Sequence, residues 1–200
     1  MADVKLGNTT HSGITRLELT DSEQNTALFM EADDFLGVLS GGSGYDYFEN
    51  SDLTSISVFA TRYFFSKFTT VYVQNVTSLA GTANQLNCEN FIAPKLTTTG
   101  VSLTNGGAGK LKIADFGALT SIGNYGLSGA GLTTVILRGD TVPTVGNVSN
   151  QKANVTVYVP EAMLTSYQAD ATWQSLVSSK NWTLVKIEGS TYENTDWFKS

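Results

Sequence analysis

Apolar side chains recur every twenty residues through the middle of this chain. Leu53, Ile56 and Phe59 are followed by Val73, Val76 and Leu79, then by Ala93, Leu96 and Thr99, then by Ile113, Phe116 and Leu119; all but Thr99 are apolar. A second column, Ser51, Val71, Phe91 and Leu111, runs two residues ahead, and a third reads Phe48, Phe68, Cys88 and Ala108. A weaker early copy stands at Asp33, Leu36 and Leu39. A repeat of this length is one turn of chain that cannot bury its inward side chains alone; stacking the turns makes a shared core in which like columns form ladders. The pattern predicts a short strand per turn, at 71–73, 91–93 and 111–113, with first and third residues inward and the middle one outward. The stretches 97–100 and 104–109 read as turns. A β-sandwich also spaces short strands regularly and is the competing architecture, but a fixed step over successive copies favours stacked coils.

The two ends follow other patterns. Residues 3–31 read as a three-strand meander: a strand at Val4–Leu6, a turn over 7–13 containing His11, an alternating strand at 14–19, a second turn at 21–25 and a third strand at 26–30. A sheet this small cannot bury enough surface alone, so it should dock on the coils, on a copy of itself or on another structure. Gly41-Gly42-Ser43-Gly44 fits either a flexible joint or a tight loop. Residues 160–179 carry the helical pattern. Pro160 suits a first turn, Met163, Leu164 and Tyr167 share a stripe, and Trp173, Leu176 and Val177 continue the apolar side after a break near Ala171-Thr172. Such a helix would cover the open end of the stack. The tail from Gly189 is polar except for Tyr192, Trp197 and Phe198, which either form an interface or pack on their own domain.

Composition narrows the function. Charged residues make up only 15% and the net charge is −6, with no Lys/Arg cluster, so a nucleic-acid partner has no electrostatic footprint. Cys88 is the single cysteine, which excludes an internal disulfide and a thiolate metal cage. Neither a secretory leader nor an apolar run of membrane-spanning length is evident, so a chain made in the cytoplasm, without membrane insertion, is expected.

The stretch Leu119-Thr-Ser-Ile122-Gly-Asn-Tyr-Gly-Leu127-Ser-Gly-Ala-Gly-Leu132-Thr-Thr-Val135-Ile-Leu137 resembles the BspA-type leucine-rich repeat, L-T-S-I-G-x-x-A-F-x-G-C-x-x-L-T-x-V-x-L. The match is close over 119–137 and degenerate over 48–118, where the copies are shorter than the type. Residues 140–145, Val155–Pro160, the helix, Trp173 and Lys186-Ile187 are similar to the terminal strand–helix cap of such chains. The resemblance implies a right-handed β-solenoid used in adhesion and protein contact, without catalytic residues. The opening residues Val4, Leu6, Gly7, Thr9, Gly13, Ile14, Leu17 and Leu19 resemble the start of many bacteriophage virion proteins. The expected fold is therefore mainly β: a short right-handed leucine-rich-repeat β-solenoid with a C-terminal helical cap and a small N-terminal β-meander. The expected parts are an attachment segment at 1–31, a joint and N-terminal cap at 32–50, the solenoid at 51–145, and a strand–helix cap with tail at 146–200.

Candidate chemistry is sparse. His11, the only histidine, has no nucleophile placed beside it, and Cys88 reads as a small buried apolar residue. Asp33 and Asp34, or Asp46, Glu49 and Asp52, read as solvated loop charge. The 106–111 stretch mimics a phosphate loop but has Leu111 where the motif needs Ser or Thr. Arg138-Gly139-Asp140 reads as a chance tripeptide, and the Asn-x-Ser/Thr sequons reflect composition. A sugar-cleaving enzyme would need carboxylates on the outward strand positions, and the twenty-residue register places none there. If a binding face exists it lies on the outward ladder Tyr72, Gln74, Ile92, Lys112, Ile136 and Arg138. The reading is a non-enzymatic virion structural protein, a head or tail appendage without cofactor or metal. Residues 1–31 would join other virion proteins, and the repeat domain would contact a host surface protein or glycan, most simply as a homo-oligomer. The alternatives are a capsid decoration or joining protein, and a polysaccharide-degrading appendage.

Overall fold

The computed structural model describes residues 2–6, 9–14, 16–20, 26–31, 45–51, 55–56, 65–79, 86–100, 103 and 109–199; side chains are described for 47–49, 51, 65–66, 68–79, 86–100, 103 and 109–199. The early repeat copy at Asp33, the glycine joint at 41–44, Leu53, Phe59, Asp52 and Ala108 lie outside these residues. In chain order the strands are β1 (Ala2–Leu6), β2 (Thr9–Ile14), β3 (Arg16–Thr20), β4 (Thr26–Glu31), β5 (Tyr45–Asn50), β6 (Ser55–Ile56), β7 (Phe68–Val73) and β8 (Ser78–Leu79). They continue as β9 (Asn90–Ala93), β10 (Ile113–Phe116), β11 (Ser121–Ile122), β12 (Thr134–Leu137), β13 (Thr144–Val145) and β14 (Thr156–Val159). Two helices follow, α1 (Glu161–Ala169) and α2 (Ala171–Lys180), before β15 (Thr183–Lys186).

One sheet dominates. Its order is β15-β14-β12-β10-β9-β7-β5-β1-β2. The seven strands from β5 to β15 pair in parallel with their sequence neighbours in the sheet. β1 and β2 extend the β5 edge in antiparallel sense. The molecule is thus a mixed α/β fold, and the expected closed, mainly β solenoid is not what forms. The finding that overturns it is the sheet of seven parallel strands with two helices in its last crossover. Away from that sheet the chain makes short parallel pairings, β6 with β8 and β11 with β13, and Thr98 bridges to Ser121 of β11. The physical reason is unequal spacing. Val71 pairs with Phe91 across 20 residues, but Phe48 with Val71 and Phe91 with Ala114 across 23, Ala114 with Val135 across 21, Val135 with Val157 across 22, and Val157 with Leu184 across 27. Hydrogen bonding holds these strands in step, and the surplus residues fall into the connections between them.

The expected strand at 111–113 is displaced for the same reason. The β10 strand begins at Ile113, and Ile113 faces Asn90 rather than Ala93. The inward columns are Phe48, Val71, Phe91, Ala114, Val135 and Val157, and Val73, Ala93, Phe116, Leu137 and Val159, all buried. Phenylalanines fill the deepest part: Phe48 packs at 5.7 Å from Phe65 and 5.3 Å from Phe68, and Phe91 at 6.3 Å from Phe116, ring centre to ring centre. Thr99, the polar member of the repeat, is fully buried with its hydroxyl accepting from Gly123 N at 3.0 Å. Burying a hydroxyl costs little once it is bonded.

The expected three-strand meander is also corrected. β1 pairs with β2 and β3 with β4, both antiparallel, so four strands stand where three were expected. His11 stands in β2 opposite Val4, not in a turn. The helices lie between β14 and β15 in the chain. They form the crossover from β14 to β15, as a parallel connection requires. The break near residue 171 is a helix boundary: the Asp170 carboxylate accepts from Thr172 N at 2.9 Å and Trp173 N at 3.1 Å, capping α2. Tyr167, Trp173 and Leu176 enter the core, with Trp173 donating its indole N–H to Pro143 O at 3.0 Å. Val177, expected on the same apolar side, is exposed. Beside the helices, buried Gln151 donates through Nε2 to the carbonyls of Gly123, Asn124 and Asn147 and accepts from Leu127 N.

Candidate functional site

Strand alternation gives the main sheet a second face. Its central column follows from the pairings: Glu49, Tyr72, Ile92, Asp115, Ile136, Tyr158 and Val185. Beside it run Tyr47, Thr70, Asn90, Ile113, Thr134, Thr156 and Thr183. An outward face should be wet, yet Ile92 is 3%, Asp115 2% and Ile136 0% exposed. The chain's own C-terminal tail, from Gly189 to Lys199, covers them.

Asp115 anchors that cover. Its Oδ1 accepts from Arg138 Nε at 2.9 Å, and its Oδ2 accepts from Arg138 Nη2 and from the Trp197 indole N–H, both at 2.8 Å. The two-point guanidinium–carboxylate fork fixes direction as well as distance. The same guanidinium donates to the tail carbonyls of Tyr192 at 2.8 Å and of Glu193 and Asn194 at 3.4 Å. A carboxylate this deeply buried is tolerable because it is paired and fully bonded. Just past β10 the chain passes close to the preceding turn, where only glycine fits. A Cβ on Gly117 would stand 2.4 Å from Pro94 O.

Aromatic rings continue the cover toward both edges. Tyr158 meets Tyr192 edge-on at 4.8 Å, Tyr192 meets Trp197 at 5.1 Å, and Trp197 meets Phe198 at 5.7 Å. Phe198 then lies 5.0 Å from Tyr72 and stacks on Tyr47 at 5.8 Å. The Lys199 ammonium sits 5.4 Å from the centre of the Tyr72 ring and 3.4 Å from Asp196. At the β5 end, Glu49 accepts from the Tyr47 hydroxyl at 2.9 Å and from the Gln74 amide. Burial and the neighbouring Glu49 push the Tyr47 phenol well above its ordinary value, and burial pushes Tyr72 up too.

Of the expected ladder, the structure gathers Tyr72, Ile92, Ile136 and Arg138 beneath the tail. Gln74 stands at the margin, held by Glu49. Lys112 precedes β10 and is an exposed residue paired with Glu89 at 2.8 Å. The reading that the outward strand positions carry no acid is wrong: Glu49 and Asp115 both stand there, hidden from the sequence by the assumed twenty-residue step. Tyr158 was the other missed member; Tyr192, Trp197 and Phe198, expected either to form an interface or to pack on their own domain, pack on it. The Arg138-Gly139-Asp140 tripeptide has its guanidinium committed to Asp115. Cys88 is fully buried, which holds its thiol protonated well above the usual range. Among the described residues no group of three or more His, Cys, Asp or Glu is placed to hold a metal ion, and no helix is long and apolar enough to cross a membrane. Compared with known proteins, the chain matches no family model, no curated protein and no solved structure.

Proposed function

We propose that this chain is a non-enzymatic structural and adhesive protein, a bacteriophage head or tail appendage joined to the particle through residues 1–31. The observation that carries the reading is the fate of the outer strand face. Its acids serve the architecture: Asp115 holds Arg138 and the tail, and Glu49 accepts from Tyr47 and Gln74. A sugar-cleaving site instead needs two carboxyls facing a substrate, roughly 5–10 Å apart. Parallel strands zipped in sequence also give a stiff body, which suits a part that bears contacts. The N-terminal strands add to that body by edge pairing, β1 onto β5, and strand addition at an edge is a common way for one protein to hold another.

The test is incorporation. Particles assembled with a chain lacking residues 1–31 are assayed for this protein by quantitative mass spectrometry, beside particles with the full chain. The reading expects its loss from particles; equal incorporation contradicts it. Binding of the full chain to host cells then separates host adhesion from a decorating role.

A further inference from the structure

We propose that the outer face of the sheet is a docking surface for the C-terminal tail of a second copy of this chain, so that two copies exchange residues 189–199. The occupant is identified by the contacts already made. The face takes an indole N–H on the buried Asp115 carboxylate, a benzyl ring between Tyr47 and Tyr72, and an ammonium over Tyr72. Trp197-Phe198-Lys199 supplies those groups in order.

The tail is built to leave without dismantling the fold. No residue of 189–199 belongs to the hydrophobic core cluster. Its links to the body include the Trp197 indole on Asp115, ring contacts, backbone carbonyls on Arg138, and Ser190 donating to Ile187 O. It departs from the sheet just past Ile187, whose N–H is bonded to Val159 O at 2.8 Å. Gly189 follows at φ +76 with open space where a Cβ would be. A glycine there can swing to other backbone angles without steric cost, which is the requirement for a hinge. Reciprocal exchange keeps every tail–face contact, so the closed and exchanged forms differ only in hinge geometry and association entropy. Tethering gives the chain's own tail an effective concentration of about millimolar; exchange therefore grows where copies are crowded together.

Full-length chains carrying Tyr72→Cys and Phe198→Cys are mixed at high concentration under mild oxidation. The native Cys88 is fully buried and does not compete. The proposal expects a covalent heterodimer forming at least tenfold faster than from a control pair of Val177→Cys with Phe198→Cys, position 177 being exposed on α2. It also expects the advantage to fall at least tenfold when Asp115→Asn is added to the Tyr72→Cys chain. Equal rates for the two pairs overturn it. Should Tyr72→Cys fail to fold, a light chain bearing a benzophenone side chain at position 198 is irradiated with isotopically heavy wild-type chain. Crosslinks from light tail to heavy β5 or β7 support exchange, and light–light crosslinks alone overturn it.

Discussion

The two faces of one sheet are closed by different means. The inner face is covered by side chains of the coils themselves and of the crossover helices, in columns of Phe, Val, Ala and Leu. The outer face is covered by an eleven-residue tail from Gly189 to Lys199, held by one buried ion pair and a chain of rings. Inner closure is apolar, non-directional and spread over many residues, so it tolerates change in any one by partial relaxation. Outer closure is directional and concentrated: Asp115 is the common acceptor of Arg138 and Trp197. The inner face therefore sets how stable the fold is, while the outer face decides whether a surface is covered or open.

Substitutions break that contrast in order of size. Phe91→Ala empties a fully buried site among Phe65 and Phe116 and should cost about 3–5 kcal/mol in chemical denaturation. Asp115→Asn removes the charge that offsets an Arg138 side chain only 15% exposed. It should cost about 3 kcal/mol and, unlike Phe91→Ala, should make the tail accessible to protease while the body resists digestion. Gln151→Ala strips the partner of three carbonyls and one N–H. The expected loss is about 2 kcal/mol, with melting of the whole body and no selective release of the tail.

Alkaline pH sharpens the same comparison. The buried Cys88 thiol keeps its proton well above its ordinary pKa, whereas in the unfolded chain it ionises near about 8.5. Above that pH the unfolded state has lost a proton that the native state retains, so stability falls as pH rises, by at most about 1.4 kcal/mol per pH unit for this one group. Tyr47 and Tyr72, raised on the outer face, add a further loss above about pH 10. Melting temperatures across pH 8–11 should decline in wild type, and Cys88→Ala should flatten the lower part of that decline. The smallest effect belongs to an exposed pair: Lys112→Ala, losing only the Glu89 contact, should change stability by less than about 1 kcal/mol.

Much of the inner face was legible in the sequence. Val71–Val73 and Phe91–Ala93 lie on strands that pair in the expected step, the helical break falls where Asp170 caps α2, and Cys88 is buried. Alternation and apolar spacing carry this information because each buried position must be apolar on its own. The outer face was legible only in part, at Tyr72, Ile92, Ile136 and Arg138, for the opposite reason. Its meaning depends on strand register, and the step from Phe91 to Ala114 exceeds the repeat by three residues. That shift moved Asp115 onto the face and Lys112 off the strand. A cover supplied from residues 189–199, some eighty residues away in sequence from Asp115, leaves no periodic trace. The architecture failed on a larger scale, since seven strands zip into one parallel sheet and the last crossover is helical.

The clasp on the outer face is the claim on which the rest turns, and the Trp197 indole N–H reports on it directly. In a proton–nitrogen correlation spectrum of the full chain three tryptophan indoles are expected, from Trp173, Trp182 and Trp197, and Trp197→Phe identifies the third. Bound to Asp115 Oδ2, that proton should exchange with solvent at least tenfold more slowly in wild type than in Asp115→Asn. A Trp197 indole that exchanges equally fast in both would contradict a tail held by Asp115.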